Sequence, residues 1–261
     1  MIYKPLDINI LNNNFSNKIV GRNILYYDTL TSTMDKTKLF AENDEAEGLV
    51  IIAENQTKGR GRFNRNWISP PGENISLSIL LRPELQQLSY INMAATLSIS
   101  QVIKEYTNIK TSIKWPNDVK LNGKKISGIL IESEVDSTEL IYAVLGIGIN
   151  INFNPNDHSE ISNIATSLYK ETGKIADRTN FLISFLKVFN SFYIKIKKHQ
   201  SLTKQWASQL ETIGKNVEIN SSGNLVKGKA IKVTESGDLI IEFPNNTRKK
   251  ITAGEVTLQS T

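Results

Sequence analysis

Residues 48–67 read GLVIIAENQTKGRGRFNRNW. The first half is a continuous apolar run that fits a buried strand. The second half sets four cations, Lys58, Arg60, Arg62 and Arg65, around two glycines, Gly59 and Gly61. A chain that passes from a core strand into so slender and positive a loop is making either an ordinary surface turn or a site for an anion. Glycines let the backbone approach a ligand and expose its N–H groups, and arginines fork onto phosphate or carboxylate oxygens. Taken alone, GRGR suits a solvated loop or an RNA-binding segment as well. Gln56, at the strand's end, carries two donors and an acceptor for a neutral polar group.

The flanking sequence supplies a frame for this loop. ENISLSILLRP (73–83) alternates as a second strand and stops at Pro83. Leu88, Ile91, Ala95, Ile99, Val102 and Tyr106 recur near helical spacing and predict an amphipathic helix. TSIKW, DVKL, the turn NGKK and ISGILIES (111–133) predict a strand followed by a hairpin turning at Asn122-Gly123. LIYAVLGIGININF (140–153) is a further apolar strand that leaves through Gly146 and Gly148. A second helix over about 179–198 carries Phe181, Phe185, Phe189 and Phe192, aromatics that serve core packing. The first 21 residues are Asn-rich and weakly patterned and are expected to form an extended arm.

Beyond Trp206 the texture changes to short strands, NVEIN, LVKGKAIKVTE, DLIIEF and RKKITAGEV, separated by the turns SSGN, ESGD and PNNT. That pattern predicts a small barrel over 213–261, after a larger domain over 1–212.

Composition narrows the chemistry. The chain has 261 residues, 31 basic against 26 acidic, and a formal charge of +5, a mild excess that decides neither nucleic acid nor small anion. It has no cysteine, which removes thiol nucleophiles, disulfides and cysteine-based zinc sites. Its two histidines, His158 and His199, show no metalloprotease spacing. No apolar stretch approaches the roughly 20 residues of a membrane span, and no signal peptide opens the chain, so a cytoplasmic location is expected. The remaining instruments are Arg, Lys and backbone amides, which suit charge stabilisation at phosphate or carboxylate.

Two further segments hold candidates. In KWPNDVKLNGKKISGILIES (114–133), Lys114 ends one strand and Lys125 begins another, so a hairpin brings both ammonium groups to one end of a sheet. Asp118 then orients a lysine or helps hold a metal, although an exposed hairpin with surface lysines is the plainer reading. In TLTSTMD (29–35), Ser32 and Thr33 offer hydroxyls that equally well cap the following helix.

In order along the chain, TST, AENQTKGRGRFNRNW, SPPGENISLSILLRP, KWPNDVKLNGKKISGILIES, GIGININ and AGEV together resemble the biotin–protein ligase family. The resemblance runs from about residue 22 to the C-terminus, and GRGR followed by Trp with KWPND followed by K-x-x-G-I-L-x-E carries most of its specificity. It implies an α+β catalytic domain with a mixed sheet related to class II aminoacyl-tRNA synthetases, plus a C-terminal SH3-like barrel. Some relatives carry an N-terminal winged-helix DNA-binding domain. With TST at residue 31 there is no room for one here, so the ligase-only class and no DNA binding are expected.

The implied reaction joins biotin to ATP as biotinyl-5′-AMP and then transfers it to a lysine of a biotin carboxyl carrier protein. By resemblance, Ser32, Thr33, Gln56, Gly59, Arg60, Gly61, Lys125 and Gly128 contact biotin. Arg60, Arg62, Trp67, Lys114, Asn117, Asp118 and Asn150 attend the nucleotide. Arg60, Arg62, Lys114 and Lys125 carry the chemistry, and Asp118 is a candidate contact for Mg²⁺. The loop is expected to close over the adenylate. Met34 stands where relatives usually have Asn, and Phe63-Asn64 replaces a common basic-and-glycine pair. Monomer and homodimer stay open. A lipoate–protein ligase and a nucleic-acid module using the RG loop are the rival readings.

Overall fold

A computed structural model describes residues 4–221 and 224–258. Its first body is a seven-stranded mixed sheet in the order β1-β2-β3-β7-β6-β5-β4. The strands are β1 (Ile24–Leu30), β2 (Val50–Gln56), β3 (Ile75–Leu81), β4 (Thr111–Lys114), β5 (Asp118–Leu121), β6 (Lys124–Asp136) and β7 (Glu139–Ile149). β1 and β2 run parallel and the other neighbours antiparallel.

The two faces of this sheet differ, and the difference makes room for a ligand. In β3, Ile75, Leu77, Ile79 and Leu81 alternate with Ser76 and Ser78. Ser76 pairs across to Gly148 and Ser78 to Gly146, and these pair in turn with Gly128 and Leu130 of β6. The bulky rows join the main core with α3 (Leu88–Thr107) and α5 (Arg178–Lys197). The opposite face is a lawn of Ser and Gly, covered only in part by α2 (Thr33–Glu42), whose Met34 and Ala41 pack on Ile51, Leu80 and Val144. Beside the N-terminus of α2 a cavity remains.

Both long helices fall where their periodicity predicts, and Asn122 (φ 48°) and Gly123 (φ 80°) make the expected left-handed turn between β5 and β6. Gly146 and Gly148 lie inside β7, not at its exit. The N-terminal segment also departs from expectation. Residues 8–15 form a helix, α1 (Ile8–Phe15), capped by the Asp7 carboxylate on the Ile10 N–H at 3.0 Å. Leu11 and Phe15, four residues apart, bury its one apolar stripe, a signal obscured by the asparagines between them.

Short helices α4 (Leu168–Thr172) and α6 (Thr203–Ala207) flank α5. The second body is a five-stranded antiparallel sheet, β11-β10-β9-β8-β12, from β8 (Asn216–Ser221), β9 (Asn224–Val233), β10 (Leu239–Glu242), β11 (Arg248–Ile251) and β12 (Glu255–Leu258). Among the described residues its edge strands β11 and β12 do not pair, so the expected barrel is an open sheet. The ESGD and PNNT turns form, with Gly237 at φ 83° and Asn246 at φ 60°, whereas Ser222 and Gly223 of SSGN lie outside the described residues. The bodies share one core, and the Trp115 indole N–H donates to the Gly237 carbonyl at 2.8 Å.

Candidate active site

The cavity on the Ser/Gly face has a volume of about 790 Å³. One end is neutral and polar. The Gln56 Oε1 accepts from the Thr33 N–H at 2.9 Å and the Thr33 hydroxyl lies 2.8 Å from that of Ser78. Ser32 is the N-cap of α2, accepting from the Met34 N–H at 3.2 Å, and it lines the cavity as well. Met34 is buried over Gly146, where an added Cβ would stand 2.5 Å from its sulfur.

The other end is cationic. Lys125 at the start of β6 reaches the Asp118 carboxylate at 2.6 Å. Lys114 stands half-buried at the end of β4. Burial pushes its ammonium below the usual lysine range, with Asp118 pulling the other way. Asn117 donates to the Ile129 carbonyl and accepts from an Arg62 N–H at 3.2 Å. Trp115-Pro116 is a cis peptide bond. Asn150 is buried, its amide donating to the Thr166 carbonyl at 2.9 Å.

Trp67 lies between the two ends. A Cβ on Gly148 would fall 2.2 Å from its indole, and one on Gly128 would fall 2.9 Å from the Lys125 ammonium. The glycines of GIGIN and ISGIL therefore admit a flat indole and a lysine against the sheet.

The loop at 58–67 is a small flap over this cavity. Gly61 N–H donates to Arg65 O at 2.7 Å and Trp67 N–H to Gly59 O at 3.0 Å. The Gly61 N–H is therefore engaged within the flap and does not face outward as expected. Gly59 does not reach the cavity wall; it lets the legs of the flap meet, since a Cβ there would stand 2.9 Å from the Trp67 carbonyl. The other expected residues, Ser32, Thr33, Gln56, Arg60, Gly61, Arg62, Trp67, Lys114, Asn117, Asp118, Lys125, Gly128 and Asn150, all line the cavity.

The two flap arginines differ. Arg60 forks onto both oxygens of Glu132 at 3.1 and 3.0 Å and reaches Asp35 at 2.7 Å. Arg62 bonds neutral acceptors, Asn117 and the Gly254 carbonyl at 2.9 Å, and makes no ion pair among the described residues. Burial lowers the Arg62 pKa from its ordinary value. Phe63, at the tip, is exposed and takes φ 56°, a left-handed backbone that strains a bulky residue.

Sequence reasoning missed the partners behind the lining residues, Ser78 for Thr33 and Asp35 and Glu132 for Arg60, together with the segment 160–165, which closes the far side through Lys125 N–H to Ile164 O at 2.8 Å. The alternation in ISLSILL was the available signal for Ser78; none existed for 160–165. Among the described residues no cluster of three His, Asp or Glu could hold a metal ion. Asp118, the candidate Mg²⁺ contact, already faces Lys125. The donor set does not make a protein-built metal site.

A mixed sheet with an RG flap over a Gly-lined cavity, neutral at one end and carrying two lysines at the other, makes a binding site for an anionic ligand with a neutral polar part. Residues 25–150 match the model of the Biotin/lipoate A/B protein ligase family, and 212–258 match the Biotin protein ligase C terminal domain. The Bifunctional ligase/repressor BirA of Bacillus subtilis is 35% identical over 246 residues, covering 92% of this chain and 75% of that protein. The Biotin--[acetyl-CoA-carboxylase] ligase of Mycobacterium tuberculosis is 29% identical, covering 83% and 81%. A structure of the Aquifex aeolicus biotin protein ligase in complex with biotin and ATP superposes with a TM-score of 0.77 at 31% identity, covering 92% of this chain and all of that one.

The chain belongs to the biotin protein ligase family. It is accordingly a ligase that joins biotin to a carrier protein at the expense of ATP. No helix of the described residues is long and apolar enough to cross a membrane.

Proposed function

We propose that the cavity makes biotinyl-5′-AMP at its cationic end and then passes the biotinyl group to one lysine of a biotin carboxyl carrier protein. The observation that carries this reading is the charge balance at that end: Lys114, Lys125 and Arg62 converge there, with Asp118 as the carboxylate paired to Lys125. An excess of positive charge suits two anionic reactants that repel each other in water.

Biotin's carboxylate is ionised at neutral pH, so its attack on the α-phosphorus needs no general base. It needs the two anions held together and the developing charge neutralised. Lys125 takes the carboxylate and α-phosphate, with Gly128 leaving room for both. Lys114 and Arg62 take the phosphates as pyrophosphate leaves, beside Asn117 and Asp118. Trp67 offers its flat face and Asn150 its amide to the nucleotide. Thr33, Gln56 and Ser32 hold the neutral ring of biotin at the far end. In the second half-reaction the carrier's lysine attacks the acyl carbon and AMP departs. Mg²⁺ entering with ATP would bring charge neutralisation held mainly by phosphate oxygens.

Biotin-dependent exchange of labelled pyrophosphate into ATP tests the reading. Exchange with biotin, greatly weakened in Lys125→Ala, is the expected result. Exchange with lipoate in place of biotin would transfer the chain to the lipoate branch, and exchange with neither acid would end the adenylate reading.

A further inference from the structure

Arg60 is the first arginine of GRGR and was expected to face phosphate, yet it is the flap cation most heavily engaged by carboxylates. Its Nε and Nη2 hold the two oxygens of Glu132 at 3.1 and 3.0 Å, the paired geometry that fixes a guanidinium in orientation as well as distance. Its Nη1 adds Asp35 at 2.7 Å and the Ser32 hydroxyl at 3.4 Å. These partners come from two separate elements beneath the flap. Asp35 sits in the first turn of α2, and Glu132 follows Gly128 and Leu130 on the cavity face of β6. The two carboxylates outweigh the single guanidinium, so this corner carries no surplus positive charge to offer a nucleotide.

We infer that Asp35 and Glu132 are positioning residues that hold the flap down through Arg60 and so keep the activated acid from water between the two half-reactions. This rests on the adenylate reading above. A mixed anhydride is lost to hydrolysis if water enters before the carrier's lysine, and excluding water is the work of a closed flap. The Arg60 fastening ties the first leg of the flap to the sheet. Arg62, beside the tip, and Arg65, on the other leg, are fastened elsewhere, to Asn117 and Gly254 and to Glu255. Releasing Arg60 therefore opens one side of the flap and leaves the cationic end in place.

The test compares wild type with Glu132→Gln, Asp35→Asn and their double variant, each also in an Arg60→Gln background. The first readout needs no ligand and no activity: trypsin cleavage after Lys58, Arg62 or Arg65 in the native protein. Opening the flap raises its rate, by roughly tenfold in the double variant, because cutting follows the population of the open form. The second readout is AMP released with biotin and ATP when no carrier protein is present. It rises several-fold relative to pyrophosphate exchange, and the biotin KM rises more than kcat falls. Neither readout changes further when the carboxylates are altered in the Arg60→Gln background, since both act through that one side chain.

Flap cleavage at the wild-type rate in the double variant would overturn the inference. So would effects that add in full to those of Arg60→Gln, which would place the carboxylates in some other role. A wild-type protein without biotin-dependent exchange fails the adenylate reading instead, and the trypsin arm still reports whether the clamp exists. A melting temperature that falls in parallel with exchange, with no change in the AMP-to-exchange ratio, would reduce the pair to a structural contact.

Discussion

The hairpin wall of the cavity and the flap opposite it both deliver cations, but they hold them differently. Lys114 and Lys125 stand on β4 and β6, strands hydrogen-bonded along their length through β5 and backed by Ile113, Val119 and Ile126 in the core. Arg60, Arg62 and Arg65 stand on a loop that closes on itself and is fastened by its own side chains. Groups on paired strands are placed with less freedom than groups on loops. The fixed wall can set the geometry of the reacting atoms, and the flap can govern access. Neither wall could do the other's work: a rigid flap would bar substrates, and a mobile lysine would lose alignment.

The largest expected effect tests what the walls rest upon. Glu54 on β2 and Arg178 at the start of α5 form a buried pair, 2.8 Å apart, with side chains 2% and 4% exposed. The Glu54 carboxylate also accepts from the Leu6 and Gly72 N–H groups and from the Tyr26 hydroxyl. Arg178→Ala leaves that carboxylate buried without its counter-charge, which costs about 3–5 kcal/mol. Urea unfolding should show a lowered midpoint at an unchanged slope. A loss below about 1 kcal/mol would mean the pair is not what binds α5 to the sheet.

Next come the two walls in direct competition. Lys125→Ala should lower pyrophosphate exchange by roughly 10²–10³-fold, and Arg62→Ala by roughly tenfold less than that, mostly in the ATP KM. Equal losses in kcat would erase the distinction between a wall that aligns and a flap that covers.

What could be read in the sequence follows the same division. The strands and long helices of the fixed wall were legible because their periodicities are strong and local, as in Phe181 to Ile196 or the Asn122-Gly123 turn. The Ser/Gly face is written in ISLSILL and GIGIN, but those patterns alone signal strands and close packing and do not say that the small residues of β3, β7 and β6 fall in register. Closure of the second sheet depends on whether β11 meets β12, a long-range event without a local signature. The partners of Arg60 are of that kind too: Glu132 is 72 residues away. Motif order named residues that line one cavity; it could not say which arginine faces a carboxylate.

A third effect is the pH dependence that Lys114 brings. Burial lowers the Lys114 pKa, so its ammonium neutralises at lower pH than a solvent lysine. With the folded pKa below the unfolded one, the desolvation penalty holds at neutral pH and is relieved as pH rises through the folded pKa. Between the two values stability from this group therefore increases, while its charge at the site is lost. Lys114→Arg keeps a charge throughout and should move the alkaline limb of exchange upward. An alkaline limb that stays in place would remove Lys114 from phosphate binding.

The smallest effect concerns the flap's outer fastening to the second sheet. Arg65 meets Glu255 of β12 at 2.5 Å, with side chains 66% and 37% exposed. An exposed pair of this sort is worth about 0–1 kcal/mol and is screened by salt. Glu255→Gln should therefore leave the melting temperature almost unchanged and raise flap cleavage by trypsin less than the Glu132→Gln change does, with the difference fading at high salt. The pair lies across the tip from Arg62, whose bond reaches the Gly254 carbonyl next to Glu255. If Glu255→Gln instead opened the flap more than Glu132→Gln, control of access would sit with the C-terminal sheet, and the inner clamp on Arg60 would be secondary.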